Sequence, residues 1–276
     1  MQLLYTSDLH GHSKRYRELK HLSHRYHPDV IILGGDLLPH HGHSQSSVQS
    51  QIRFIQNDFK RFLSNLPSNT QIGIILGNDD WAAALLPLQS LSNTYPIYLI
   101  HDQSIMINGI DIFGYSYVPP TPFLAKDFDK LDKKNDPVPS HPETAFITEH
   151  EKIRSINTTI LYQKRCSIEE DLTKLPKSKN MIFVAHAPPY QTCLDRLNDG
   201  RSVGSWSVRN WIQLHQPLLS LHGHIHESPR SSGRYWDRIG NTISINPGQT
   251  ENRLSAVTIH INHTIQIEHT IYGQMD

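Results

Sequence analysis

The 276-residue chain divides by the spacing of its apolar positions. Residues 3–7, 30–33, 72–76, 181–185 and 218–221 are short, nearly unbroken apolar runs. That length and composition predict strands buried on both faces. Elsewhere the spacing is helical. Ile52, Ile55, Phe59, Phe62, Leu63 and Leu66 recur at three and four within residues 46–66. Residues 14–26 read as a helix capped by Ser13 and stopped at His27-Pro28. Residues 81–91 and 205–215 read as two more helices, the latter carrying Trp206 and Trp211. Residues 149–175 are polar and partly helical.

Two further patterns complete the reading. Residues 97–100, 104–107 and 110–115 predict a β-meander, with Asn108-Gly109 as a hairpin turn. Residues 243–245, 254–261 and 265–271 alternate apolar with polar, as half-exposed antiparallel strands do. Residues 118–140 are rich in Pro, Lys and Asp and predict an exposed loop, either covering a site or tolerated as an insertion. Residues 1–276 are long enough for one large α/β domain, and nothing in them demands a second.

Each buried run ends on metal-binding chemistry. The endings are Asp8-Leu9-His10, Gly34-Gly35-Asp36, Gly77-Asn78-Asp79-Asp80, Ala185-His186 and Gly223-His224-Ile225-His226. Open α/β sheets bind ligands beyond the carboxyl ends of their strands, and all five clusters sit there. Gly35, Gly77 and Gly223 suit sharp turns and close approach of the backbone to a ligand. Any one cluster alone has an ordinary explanation as a cap or turn; five in series do not.

The residue types define a demand. A two-metal phosphoryl hydrolase holds its cations about 3.5–4 Å apart, with an anion bridging them and further ligands on each. Asp8, His10 and His226 could complete one site with Asp36; Asn78, His186 and His224 could complete the other, again with Asp36. Oxygen and nitrogen donors without thiolate suit manganese first, with iron, zinc, nickel or magnesium as alternatives.

These clusters resemble the calcineurin-like metallophosphoesterase superfamily, whose pattern runs Asp-x-His, Gly-Asp, Gly-Asn-His-Glu/Asp, a lone His and Gly-His-x-His. The resemblance covers residues 8–226, with Asn246-Pro247-Gly248 as a further family-style turn, and the chain is most similar to the Icc-like bacterial phosphoesterase group. It implies a four-layer α/β/β/α fold, with two central mixed β-sheets sandwiched by helices. It also implies a binuclear centre bridged by Asp36, a water or hydroxide nucleophile between the metals, and no covalent phospho-enzyme. One position departs. Asp79 stands where the pattern has the His that protonates the leaving oxygen. An ordinary carboxylate there is ionised at neutral pH and repels phosphate. Either Asp80 holds Asp79 protonated, or one of His12, His40, His41 and His43 supplies the proton. Asp79 and Asp80 are therefore the candidate catalytic pair, and Asn78 and His12 the candidate substrate contacts.

Composition adds exclusions. The formal net charge is zero, with 26 basic and 26 acidic residues, and no basic run marks a nucleic-acid binder. Cys166 and Cys193 read as free thiols of a reducing compartment. The first residues do not read as a signal peptide, and no stretch is long and apolar enough to span a membrane. The expectation is a cytoplasmic phosphoesterase acting on a small phosphoester or nucleotide-type substrate. The rivals are a non-catalytic metal-binding scaffold of the same fold and a nuclease.

Overall fold

The computed structural model describes residues 1–275. Two sheets stack face to face. The first has the order β15-β14-β13-β1-β2-β3-β4, from Gly273–Gln274, Ile265–His269, Val257–Ile261, Gln2–Thr6, Val30–Gly34, Gln71–Ile75 and Ile97–Leu99. The second has the order β11-β12-β10-β9-β6-β5, from Trp236–Ile239, Thr242–Ile245, Leu219–Leu221, Met181–Ala185, Ile110–Tyr115 and Ser104–Ile107. Strands β1 to β4 run parallel, as do β6, β9, β10 and β12; antiparallel strands close both edges of the second sheet and the β15 edge of the first.

Side-chain alternation explains the layering. Leu3 and Tyr5 of β1 and Val30 and Ile32 of β2 meet Ile182, Val184, Leu219 and Leu221 between the sheets. The intervening Leu4, Ile31 and Leu33 face outward onto Tyr16 and Leu19 of α1 (Ser13–Tyr26) and onto Phe59, Phe62 and Leu63. Those last three belong to the predicted helix over 46–66, which is built as α2 (Gln45–Phe54), a π-helical turn (Ile55–Phe59) and α3 (Lys60–Leu63). On the far side, Phe113, Met181 and Phe183 carry α6 (Ile168–Leu172) and α7 (Trp206–His215), after α4 (Leu85–Leu91) and α5 (Thr158–Lys164) have been laid down. Each face buries an apolar cluster, so four layers of α/β/β/α result. No helix among the described residues is long and apolar enough to cross a membrane.

Several expectations needed correction. The predicted meander is split: β4 pairs with β3 in the first sheet, while β5 and β6 form their hairpin in the second. Local periodicity cannot say which sheet a strand joins. Residues 243–245 are fully buried and parallel to β10 rather than half exposed, because β12 is flanked on both sides. His12, not Ser13, precedes the first turn of α1, and its side chain does not cap it. Beyond the segment read as a loop, β7 (Thr144–Glu149) and β8 (Lys152–Asn157) form a separate hairpin that the sequence reading missed.

Apart from Pro122 and Phe123, the loop itself is not exposed over its first half. Val118, Ala125, Lys126, Asp127, Phe128, Asp129, Lys130 and Asp132 are all buried. Polar groups go inside because they are paired. Lys126 Nζ lies 2.6 Å from Asp129 Oδ2 and also donates to the Thr121 carbonyl and hydroxyl. Arg165 then caps the Lys126 and Asp129 carbonyls. Asp132 accepts from Ser205 and from the first N–H groups of α7. Composition suggested exposure; charge pairing reversed it.

Candidate metal centre

The parallel strands of both sheets deliver the five clusters to one edge. Asp8, Asp36 and Asn78 follow β1, β2 and β3; His186 and the His224/His226 pair follow β9 and β10. The first two loops are zipped together beyond the sheet by Asp8 N to Gly35 O, His10 N to Asp36 O and Gly11 N to Leu37 O, all 2.8–2.9 Å. This geometry requires left-handed backbone at Asp8, His10, Asp36 and His224, with φ of 57°, 47°, 52° and 68°. Such conformations cost of order 1–3 kcal/mol each and persist where surrounding structure enforces them, typically at functional sites.

Two groups of donor atoms result, each within 4.8 Å of one another: Asp8, His10, Asp36 and His226, and Asp36, His186 and His224. Asp36 belongs to both. In the first group His10 Nε2 faces His226 Nε2 at 3.2 Å, and His226 Nε2 lies 3.3 Å from Asp8 Oδ1. In the second, His186 Nε2 lies 3.3 Å from Asp36 Oδ2. The expected glycines prove necessary. A Cβ at Gly35 would overlap the His186 ring, one at Gly77 would overlap both Asp36 and His186, and one at Gly223 would overlap Ser7 and Asp8.

The donor chemistry fits divalent cations on two observations. Asn78 Oδ1 and His186 Nε2 are buried without a hydrogen-bond partner, which is costly unless something else binds them. His186 Nδ1 is 2.7 Å from the Gly34 carbonyl, so it carries a proton and turns Nε2 to Asp36; that carboxylate outweighs burial and pushes the ring up to about 9, so a cation at Nε2 would displace a second proton. Burial by itself would raise both carboxyls. For Asp8 the charge of His226 outweighs it and holds the group at about 2; for Asp36 His186 and His10 outweigh it and hold the group far below the ordinary range. Both are anions at neutral pH. His224 is pushed down to about 4 by burial and by His186, and His10 to about 4 chiefly by burial; neutral imidazole is the form that binds metal.

Asp79 stands at the open side. Its Oδ2 lies 3.8 Å from His10 Nδ1, its Oδ1 3.9 Å from His40 Nδ1, and its N–H donates to Asp36 Oδ1 at 2.8 Å. Burial, then the charges of Asp36 and Asp80, raise its carboxyl to about 8. The expected neighbour effect of Asp80 is present but is the third cause. Asp80 itself points away: its oxygens accept from the N–H groups of Gly77, Leu37 and Leu38, bracing the third cluster's loop against the second's. Asn78 Nδ2 is taken up by Asp79 Oδ1 at 3.1 Å. His12 is exposed, and among the described residues its side chain has no hydrogen bond or ion pair with these groups. The structure thus gathers six of the seven candidate metal ligands into the two donor groups, sets Asn78 against Asp79, turns Asp80 into a brace, and leaves His12 outside. Of the other histidines considered, His40 is brought to Asp79, and His43 packs against His40 and Phe146.

The braces were not legible. Gln51, fully buried, donates to Pro39 O and Asp79 O and accepts from Trp81 N–H. Asn246 in the family-style turn donates to Leu194 O, Gly223 O and Ile225 O, pinning the loop that carries His224 and His226. His222 Nδ1 faces the carbonyls on either side of His186, at Ala185 and Ala187. A buried Gln or Asn gives no local signal of which distant carbonyl it meets.

A family model described as calcineurin-like phosphoesterase matches residues 1–228. The chain belongs to this family. An uncharacterised protein of Methanocaldococcus jannaschii is 38% identical over 91 residues, which are 32% of this chain and 37% of that protein, so the match spans about a third of either. Among solved structures, a Thermus thermophilus protein superposes with TM-score 0.55 at 21% identity over 93% of both chains. A dimetal phosphatase from Danio rerio superposes with TM-score 0.51 at 10% identity over 99% of this chain and 96% of its own. These likenesses are of fold. Family membership, fold and the two clustered donor groups together support metal-dependent phosphoester hydrolysis as the general activity.

Proposed function

We propose that the protein hydrolyses a phosphodiester or phosphomonoester with two divalent cations. Asp8, His10, Asp36 and His226 hold the first; Asp36, Asn78, His186 and His224 hold the second. The observation that carries the reading is the shared carboxylate: Asp36 stands in both donor groups, where a bridging anion offsets the repulsion of two dications. Two cations bound there supply oxygen-binding charge for the phosphate and an activated water as nucleophile.

The chain's own residues set the geometry. Ser7 and the His224 N–H fix the Asp8 carboxylate, the Gly34 carbonyl fixes His186 Nδ1, and the Asp79 N–H fixes Asp36. Asp79 replaces an imidazole as the side chain nearest the leaving group. The charge of two bound cations would lower the raised Asp79 carboxyl and ionise it, so the preferred substrate is one whose leaving group needs little protonation.

The test combines metal analysis with turnover. Purified protein carries about two manganese-class ions per chain and hydrolyses bis-p-nitrophenyl phosphate in added Mn²⁺, and Asp36→Asn loses both. Metal bound without turnover of any ester points instead to a scaffold, and absence of metal overturns the site.

A further inference from the structure

A polar cleft of about 620 Å³ opens beside His226, whose side chain is 39% exposed. Three guanidinium groups line it, from Arg15, Arg230 and Arg253, with two carboxylates, Glu227 and Glu251. None of the three arginines forms an ion pair among the described residues, whereas Arg61, Arg154 and Arg201 elsewhere on the surface each do. Arg15 is the most fixed. Its Nη1 donates to the Asp8 and Leu9 carbonyls and its Nη2 to the Thr250 carbonyl, while its Nε is buried with no partner. It is thus anchored to the backbone of the first donor cluster, with the charges of Asp8 and Glu18 acting on it. Arg230 contacts the Asn198 side-chain oxygen, a neutral acceptor. The one aromatic ring that lines the cleft is the imidazole of His226.

Planar guanidinium groups without carboxylate partners are the residue type that recognises phosphate. Resting on the phosphoesterase reading above, we infer that the substrate is a phosphoanhydride whose leaving phosphate sits on Arg230 and Arg253. In the step, the oxygen of a water forms a bond to the attacked phosphorus and the bond from that phosphorus to the bridging oxygen breaks. The bridging oxygen leaves with its electron pair on the second phosphate, and the proton released by the water goes to solvent or to the products. A phosphate leaves readily without a strong acid, which accords with Asp79 in the imidazole's place. Glu227 and Glu251 remain to accept hydroxyl groups of whatever the second phosphate carries.

The experiment compares adenosine 5′-diphosphate with bis-p-nitrophenyl phosphate in excess Mn²⁺, for the wild type and for Arg230→Gln/Arg253→Gln. Both substituted side chains are exposed, and an unchanged melting temperature checks that the fold persists. The expected result is turnover of the diphosphate and a fall of about tenfold or more in the ratio of its kcat/KM to that of the diester, mainly through KM. Arg230→Lys/Arg253→Lys restores part of the ratio. Turnover of the diester without turnover of the diphosphate, or a ratio unchanged in the double variant, overturns the anhydride assignment while leaving the phosphoesterase intact. Failure of both substrates with no bound metal overturns the phosphoesterase reading and the anhydride assignment with it.

Discussion

Nε2 of His186 lies 3.3 Å from Oδ2 of Asp36, while Nδ1 of the same ring is held 2.7 Å from the Gly34 carbonyl. One contact fixes Nδ1 and the other aims Nε2 at the carboxylate shared by both donor groups. Replacing Asp36 by Asn removes the bridging charge. We expect loss of metal from both positions and at least about a hundredfold loss of activity, since even outer-sphere partners of metal ligands are worth about 10–100-fold. Metal analysis of the purified variant measures this, and two ions retained at full affinity would refute the bridging role.

Gly77→Ala tests the same contact sterically. The added methyl would overlap Asp36 and His186 without altering any donor. The expected outcome is weaker Mn²⁺ binding by calorimetry, with the far-UV dichroism of the wild type.

Asp79→His restores an imidazole next to the leaving group. Turnover of an ester with a poor leaving group, such as an alkyl phosphate, is expected to rise by about tenfold or more, the low end of general-acid contributions. A rate that is unchanged or lower would show that Asp79 is not the site of the missing acid.

Acid sensitivity is expected from His269, far along the chain from the donor clusters. Its ring is buried, its Nδ1 accepts the N–H groups of Ile271 and Tyr272, and its Nε2 donates to the Pro247 carbonyl. Burial pushes it from 6.5 down to about 4. Because the folded value is the lower one, the unfolded chain binds the proton first. The stability associated with neutral His269 is complete above pH 6.5 and is lost as pH falls toward 4, by up to about 3 kcal/mol. Denaturant titrations at pH 7 and pH 5 should therefore differ less for His269→Gln than for the wild type; equal pH slopes would contradict the assignment.

The buried Lys126–Asp129 pair makes a separate prediction about stability. Lys126→Met strands the Asp129 carboxylate in the interior and is expected to cost about 3–5 kcal/mol, whereas Lys126→Met/Asp129→Leu, which removes both charges, should cost less. Urea unfolding of the two variants decides it. A double variant no more stable than the single one would mean that the network around Thr121 and Arg165, rather than the ion pair, holds the segment.

The candidate ligands were legible because each lies directly after an apolar run, and such a run must enter a sheet and leave it at a known end. Asp8 after β1 and His186 after β9 needed no tertiary information. The buried state of Lys126, the separation of β4 from the β5–β6 hairpin, and the bracing roles of Asp80 and Gln51 were not legible. Each depends on a partner that sequence spacing does not name. Asp80 read as an ionisable neighbour of Asp79, yet its oxygens are engaged by Leu37 and Leu38, 43 and 42 residues away.

By itself, the sequence determined the order of the strands along the chain, the identity of the donor side chains and the family, since these follow from local hydrophobic runs and from short motifs. Only the tertiary structure decided which nitrogen of His186 faces Asp36, that Asp80 braces the loops, and which arginines border His226. Those outcomes depend on contacts such as Gly34 to His186, made across 152 residues. They exist only once two sheets with different strand orders are stacked and their carboxyl ends are brought to one edge.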